Sequence, residues 1–123
     1  MALILVIDDD QALRRTARRI LTGAGYTVID AEDGIAGMRR LPTEQPALVI
    51  TDILMPNKDG IETIREIRAV SPRTKVIATS GGGVSGKAMF LDAAQVLGAD
   101  AILRKPFRAA DLLATVDRLL AAG

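Results

Sequence analysis

Four acids, one hydroxyl and one lysine in this chain are of types that can accept or hold a phosphoryl group, and they stand at the ends of short apolar runs. Asp8 and Asp9 close the run Ile4 to Ile7, with Asp10 as a spare acid; Asp52 closes Ala47 to Thr51, Ser80 follows Lys75 to Thr79, and Lys105 precedes Pro106. A carboxylate can attack phosphorus and form an acyl phosphate, provided cations neutralise the charge spreading over the transferred oxygens. Carboxylates gathered at one place would repel and raise one another's pKa unless a cation joined them. Magnesium suits such a set, because it takes hard oxygen ligands, keeps several waters, and is held by one or two carboxylates plus phosphate. Lys105 adds a mobile point charge for a phosphoryl oxygen. The residue types therefore point to a phosphoryl-accepting carboxylate beside a magnesium ion.

The elements that must position these residues alternate along the chain. Apolar, β-rich runs recur at Leu3 to Ile7, Tyr26 to Asp30, Ala47 to Thr51, Lys75 to Thr79 and Ala101 to Leu103. They show little polar alternation, as expected of strands covered on both faces. Each is followed by a helical pattern. Leu13, Ala17, Ile20, Leu21 and Ala24 form one apolar stripe, with Gly25 as a stop and Arg14, Arg15, Arg18 and Arg19 on the other side. Further helical segments are expected at about Asp33 to Leu41, Gly60 to Val70 and Lys87 to Leu97, and around Leu112 to Leu120. Five βα units predict an α/β fold: an open five-stranded parallel sheet with helices on both faces, a doubly wound (βα)5 sandwich of the flavodoxin-like kind. In such sheets ligands bind outside the carboxyl ends of the strands, where all six residues fall.

Composition narrows the function classes. With 123 residues the chain is the size of one domain, expected to span 1–123 with no separate output domain. A composition 49% hydrophobic and 25% charged is that of a globular protein. A net charge of +1, one Tyr and two Phe give neither a field nor a stacking surface for nucleic acid. With no Cys, disulfides and thiolate metal sites are excluded. The apolar start reaches the acids too soon for a signal segment or a membrane span, so a cytoplasmic location is expected.

Taken in order, these motifs give the chain a resemblance to response-regulator receiver domains over essentially its whole length. They are Asp8-Asp9 after an apolar strand, Asp52 before Ile53-Leu54-Met55-Pro56 and Asp59-Gly60, Ser80-Gly81 after the fourth strand, and Lys105-Pro106-Phe107. The resemblance implies a phosphoacceptor signalling protein of a two-component phosphorelay, not an enzyme acting on other molecules. In that family pattern Asp52 is the acceptor, and Asp9, Asp52 and the Leu54 backbone carbonyl bind magnesium, with Asp8 acting through metal-bound water. Ser80 and Lys105 hold the phosphoryl oxygens, and the Lys105–Pro106 peptide is cis. The chain has no His, so the phosphohistidine donor of this route must belong to a partner, a histidine kinase or a histidine phosphotransfer protein. Receivers usually meet such partners near the first helix, where the arginine stripe lies.

Two departures concern switching. Ile102 stands three positions before Lys105, where receivers commonly carry an aromatic residue, and the glycine-rich stretch after Ser80 is about three residues longer than usual. A switch region of Ser80, Gly81, Gly82 and Ile102 is expected, acting through the glycine loop instead of an aromatic side chain.

Simpler readings stand beside these. Asp10 fits an N-cap, Asp52 alone could be a solvated turn acid, and Gly60 is most simply a turn glycine. The segment Gly81 to Lys87 fits most of a phosphate-binding loop, but Ala88 stands where that loop needs a hydroxyl for magnesium. The alternatives are therefore a receiver-like binding or scaffolding module that does not use phosphorylation and, further off, a nucleotide-binding protein.

Overall fold

The computed structural model describes residues 2–53, 60–81 and 98–122. Five parallel strands form one sheet in the order β2-β1-β3-β4-β5: β1 Leu3–Ile7, β2 Thr27–Ala31, β3 Leu48–Asp52, β4 Lys75–Gly81 and β5 Ala101–Lys105. Four helices are described, namely α1 Gln11–Gly23, α2 Gly34–Glu44, α3 Gly60–Val70 and α4 Ala109–Ala122. This is the doubly wound sandwich that the alternation of strand and helix signals predicts. The expected helix at Lys87 to Leu97 lies outside the described residues.

Continuous apolar strands follow from burial on both faces. Alternate residues of β1 point to opposite sides: Leu5 and Ile7 join Val49, Ile64, Ile67 and Val76 in the core under α2 and α3. Ile4 and Val6 join Ala17, Leu21, Ile50, Ile77, Leu112 and Val116 in the core under α1 and α4. Every residue of β3 is buried, because this strand lies at the centre of the sheet with helices above and below. At the rim opposite the acids, Arg68 of α3 donates to the carbonyls of Gly98, Pro72 and Thr74. It also pairs with Asp100, whose carboxylate accepts the Val76 N–H, so one guanidinium fixes where β4 and β5 begin.

The boundaries of β1 and α3 fall where the sequence puts them, and others shift for identifiable reasons. Tyr26 lies outside β2 because its N–H closes the end of α1 on the Leu21 carbonyl. Ala31 joins β2 by pairing with Ile7 and accepting the Asp8 N–H. Gly25, with φ 99°, provides the left-handed exit after α1 that the sequence reading asks of it. Helix α2 begins after its Asp33 cap and runs past Leu41 to Glu44 with Pro42 inside, ending at Gln45 in the left-handed region. Strand β4 continues through Ser80 to Gly81, and β5 through Arg104 to Lys105, because these ends pair with each other: Ser80 with Arg104 and Gly81 with Lys105. Ser80 and Lys105 are thus strand residues, where the sequence reading put them just past the strands.

Across the α1–α4 side, the Tyr26 hydroxyl donates to Asp117 of α4, tying the entrance of β2 to the last helix. The hydrogen bond to Asp117, then burial and the Asp117 charge, raise the phenol above its ordinary pKa. Tyr26 is the one tyrosine, so ultraviolet absorbance should follow its ionisation alone, with a midpoint above about 10 that falls toward that value in Asp117→Asn. Because the folded value is the higher one, this contact's contribution to stability is fully present below the unfolded value and is lost as pH rises through the folded one.

Candidate functional site

The acid turn is built by its own hydrogen bonds. The Asp8 N–H donates to the Ala31 carbonyl, which ends the β1–β2 ladder. Asp8 Oδ1 then accepts the Asp10 N–H at 2.9 Å, and Asp10 Oδ1 accepts the N–H groups of Ala12 and Leu13, capping α1. Asp10 therefore serves as the helix cap, and Asp8 and Asp9 are left at the mouth of the site. On the neighbouring strand Asp52 is the last residue of β3, and it pairs with Thr79 of β4. The reversal of chain order falls between β1 and β3, so the crevice there collects the acids.

One carboxylate oxygen from each of Asp8, Asp9 and Asp52 lies within 4.8 Å of the others. Asp8 and Asp52 are 1% and 6% exposed, while Asp9 is open to solvent. Lys105 reaches across from the end of β5 and places Nζ 2.6 Å from Asp8 Oδ2 and 3.3 Å from Asp52 Oδ2. Burial works against its charge, but the hydrogen bond to Asp8 and the charges of Asp52 and Asp8 prevail, so its pKa is raised. Its peptide bond to Pro106 is cis.

Three carboxylates facing one ammonium leave two formal negative charges in excess at this rim. Hard oxygen donors from separate elements with that excess fit a magnesium ion, which needs few protein ligands and retains water in its other positions. One open acid and two buried acids give such an ion both a solvent route and fixed ligands.

The structure brings Asp8, Asp9, Asp52 and Lys105 together. Ser80 is 1% exposed and lies one residue beyond Thr79, the partner of Asp52, on the strand next to β3. Gly81 ends β4, and Ile102 is half-buried in β5, paired with Ala78 and packed on the core under α3. Leu54 and Gly82 lie outside the described residues, as does the stretch from Gly82 to Lys87 of the alternative phosphate-loop reading.

Two residues of the site were read differently in sequence. Gly60 is the buried first residue of α3, and its N–H donates to the Ile53 carbonyl at 2.8 Å. A Cβ there would stand 2.0 Å from the Asp52 carbonyl oxygen and 2.6 Å from Ile53 Cα. It is a close-approach glycine that lets α3 begin against the backbone of Asp52, and its place after Asp59 in the sequence gave no signal of that. Arg14, read as part of the arginine stripe on the side of α1 away from its apolar face, turns inward and donates from Nη1 to the Asp8 carbonyl at 2.6 Å.

A family model described as the response regulator receiver domain matches residues 4–117. The chain belongs to this family, the phosphoacceptor module of two-component signalling. It is 38% identical over 118 residues to "Response regulator MprA" of Mycobacterium ulcerans, a match covering 95% of this chain and 49% of that protein. The chain thus spans about half the length of the curated relatives it matches. Among solved structures, the receiver domain of NtrX from Brucella abortus superposes with a TM-score of 0.91 at 29% identity, covering 98% of this chain and 99% of that one. The chemotaxis protein CheY4 of Vibrio cholerae does so with a TM-score of 0.87 at 28% identity, covering 97% and 98%. Response regulators of this family work with histidine kinases or phosphotransfer proteins. No helix among the described residues is long and apolar enough to cross a membrane.

Two outcomes test this geometry. Gly60→Ala should destabilise the fold by roughly 1–3 kcal/mol, because the new methyl meets backbone that cannot swing aside; a denaturant midpoint equal to that of the parent would contradict it. Lys105→Met leaves Asp8 and Asp52 facing each other without their ammonium and should cost up to about 3 kcal/mol at neutral pH, measured the same way.

Proposed function

We propose that Asp52 is the phosphoryl acceptor of this receiver domain, that magnesium is its cofactor, and that a histidine kinase or a histidine phosphotransfer protein is its donor. The observation that carries this is the Lys105 ammonium spanning buried Asp52 and Asp8, with Asp9 beside them. An Asp52 oxygen forms a bond to phosphorus as the phosphorus–nitrogen bond of the donor's phosphoimidazole breaks, and that bond's electron pair stays on the imidazole nitrogen. Lys105 pairs with an oxygen of the arriving group, and the Ser80 hydroxyl, one strand away, donates to another. Bound through Asp9, Asp52 and the Leu54 carbonyl, with Asp8 acting through bound water, magnesium would neutralise charge on the transferred oxygens. Water later attacks phosphorus, breaks its bond to the Asp52 oxygen and returns the carboxylate and inorganic phosphate. On this reading the chain is a participant in its own phosphorylation and dephosphorylation, not an enzyme toward other substrates.

The switch is proposed to run through Ser80 and Gly81 at the end of β4, which pair with Arg104 and Lys105 of β5. Ile102, half-buried on the same strand, would adjust its packing where other receivers move an aromatic ring. The receiver is further proposed to act in the cytoplasm, transmitting its state by protein contact.

Intact mass after incubation with acetyl phosphate is the test. The parent should gain one phosphoryl group only when magnesium is present, and Asp52→Asn should gain none under either condition. Uptake that persists in Asp52→Asn would move the acceptor elsewhere. If neither the small donor nor a phosphorylated histidine donor labels the parent, the fold serves here as a binding module.

A further inference from the structure

We infer that Arg14 is a positioning residue for the acid turn: by gripping the Asp8 carbonyl it sets where the exposed Asp9 carboxylate stands, and hence how tightly the site holds a divalent cation. This rests on the reading that Asp8, Asp9 and Asp52 form the magnesium site, and extends it to a residue outside the acid cluster.

The argument begins with the backbone. Strand β1 ends its ladder when Ile7 pairs with Ala31 and with Thr51, and the Asp8 N–H makes the final bond to the Ala31 carbonyl. The Asp8 carbonyl has left the sheet, yet its residue is 1% exposed, and a buried carbonyl needs a donor. Arg14 supplies it at 2.6 Å, a charge-assisted bond reaching back from the first turns of α1. The same guanidinium lies 3.6 Å from Asp30 Oδ2 on β2, and its side chain is 16% exposed against 51% for Arg18, which also faces Asp30. Arg14 is therefore drawn into the fold between the ends of β1 and β2, and Arg18 stays largely in water.

Within the turn, Asp8 Oδ1 holds the Asp10 N–H, and Asp10 in turn holds the start of α1, while the Arg14 N–H donates to the Asp10 carbonyl. Asp8 and Asp10 are thus fixed on both sides of Asp9. No hydrogen bond among the described residues holds the Asp9 carboxylate itself, so its position follows from the backbone that Arg14 and Asp10 fix. A ligand placed this way loses cation affinity when its support is removed, in the manner of outer contacts at metal sites.

The sign of the effect separates positioning from charge. Arg14 is a cation near an acidic site, so deleting its charge would by electrostatics alone make the site more attractive to magnesium. Positioning demands the opposite. Magnesium alone should be titrated into the full chain while the backbone amide shifts of Asp8, Asp9 and Asp10 are followed. Arg14→Met should weaken binding roughly tenfold despite removing a positive charge. Arg14→Lys, which keeps the charge without the guanidinium fork, should fall between Arg14→Met and the parent, and it carries the test should the methionine variant fail to fold. With acetyl phosphate, the half-saturating magnesium concentration should rise in both variants, and the phosphorylation rate at saturating magnesium should stay close to that of the parent.

Binding by the folded variants equal to or tighter than the parent's would overturn the inference, even if their thermal midpoints fall, because a purely structural residue would lower the midpoint alone. If the parent itself shows no magnesium-dependent shifts at the acid turn, the magnesium reading fails and this inference falls with it.

Discussion

The ammonium of Lys105 between Asp8 and Asp52 is the contact on which the arrangement of this rim depends. Two carboxylates at the ends of adjacent strands are buried here, and without a cation their like charges would repel each other. Lysine can serve because its charge survives burial: contacts with both acids outweigh the loss of hydration, so the group stays charged. Its reach comes from the register of β5, where the pairing of Gly81 with Lys105 carries the strand two residues beyond its apolar run. A slip of one residue would turn the side chain to the other face of the sheet. The electrostatics of the site and the pairing of the outermost strand are therefore one problem with one solution.

The rest of the rim can be understood as ways of holding that pair of acids still. Asp8 is bound through its N–H, its carbonyl and both carboxylate oxygens, by Ala31, Arg14, Asp10 and Lys105 respectively. Asp52 is held at its backbone by the β3–β4 pairing, and helix α3 closes against it through a residue with no side chain. What is left open is Asp9. Such a division, with rigid acids below and one accessible acid above, suits a site that must be fixed in geometry and still exchange its occupants with solvent.

Much of this was legible in the sequence, and the reasons differ by residue. The apolar runs announced a parallel sheet because both faces of its strands are covered, and the acids could be placed because they terminate those runs. The ends of β4 and β5 were not legible: Ser80, Arg104 and Lys105 look like loop residues until their mutual pairing makes them strand. The apolar pattern put the end of α2 near Leu41, but the helix runs on to Glu44 and accommodates an exposed Pro42 in its last turns. Gly60 and Arg14 were misread for a common reason. A glycine's missing atoms and an arginine's direction acquire meaning only from what stands opposite, Asp52 in one case and the Asp8 carbonyl in the other, and neither neighbour is near in the local pattern.

The sheet also acts as a partition. The buried residues under α2 and α3 and those under α1 and α4 form two separate clusters, with alternate residues of the same strands assigned to opposite sides. Leu21 and Ile67, for example, belong to different clusters, so the energetic effects of changing both should simply sum, while two changes within one cluster should interfere. One helical layer can accordingly be rewritten by mutation while the other keeps its packing, which gives a small chain two largely independent surfaces on which sequence can drift around a single shared floor of strands.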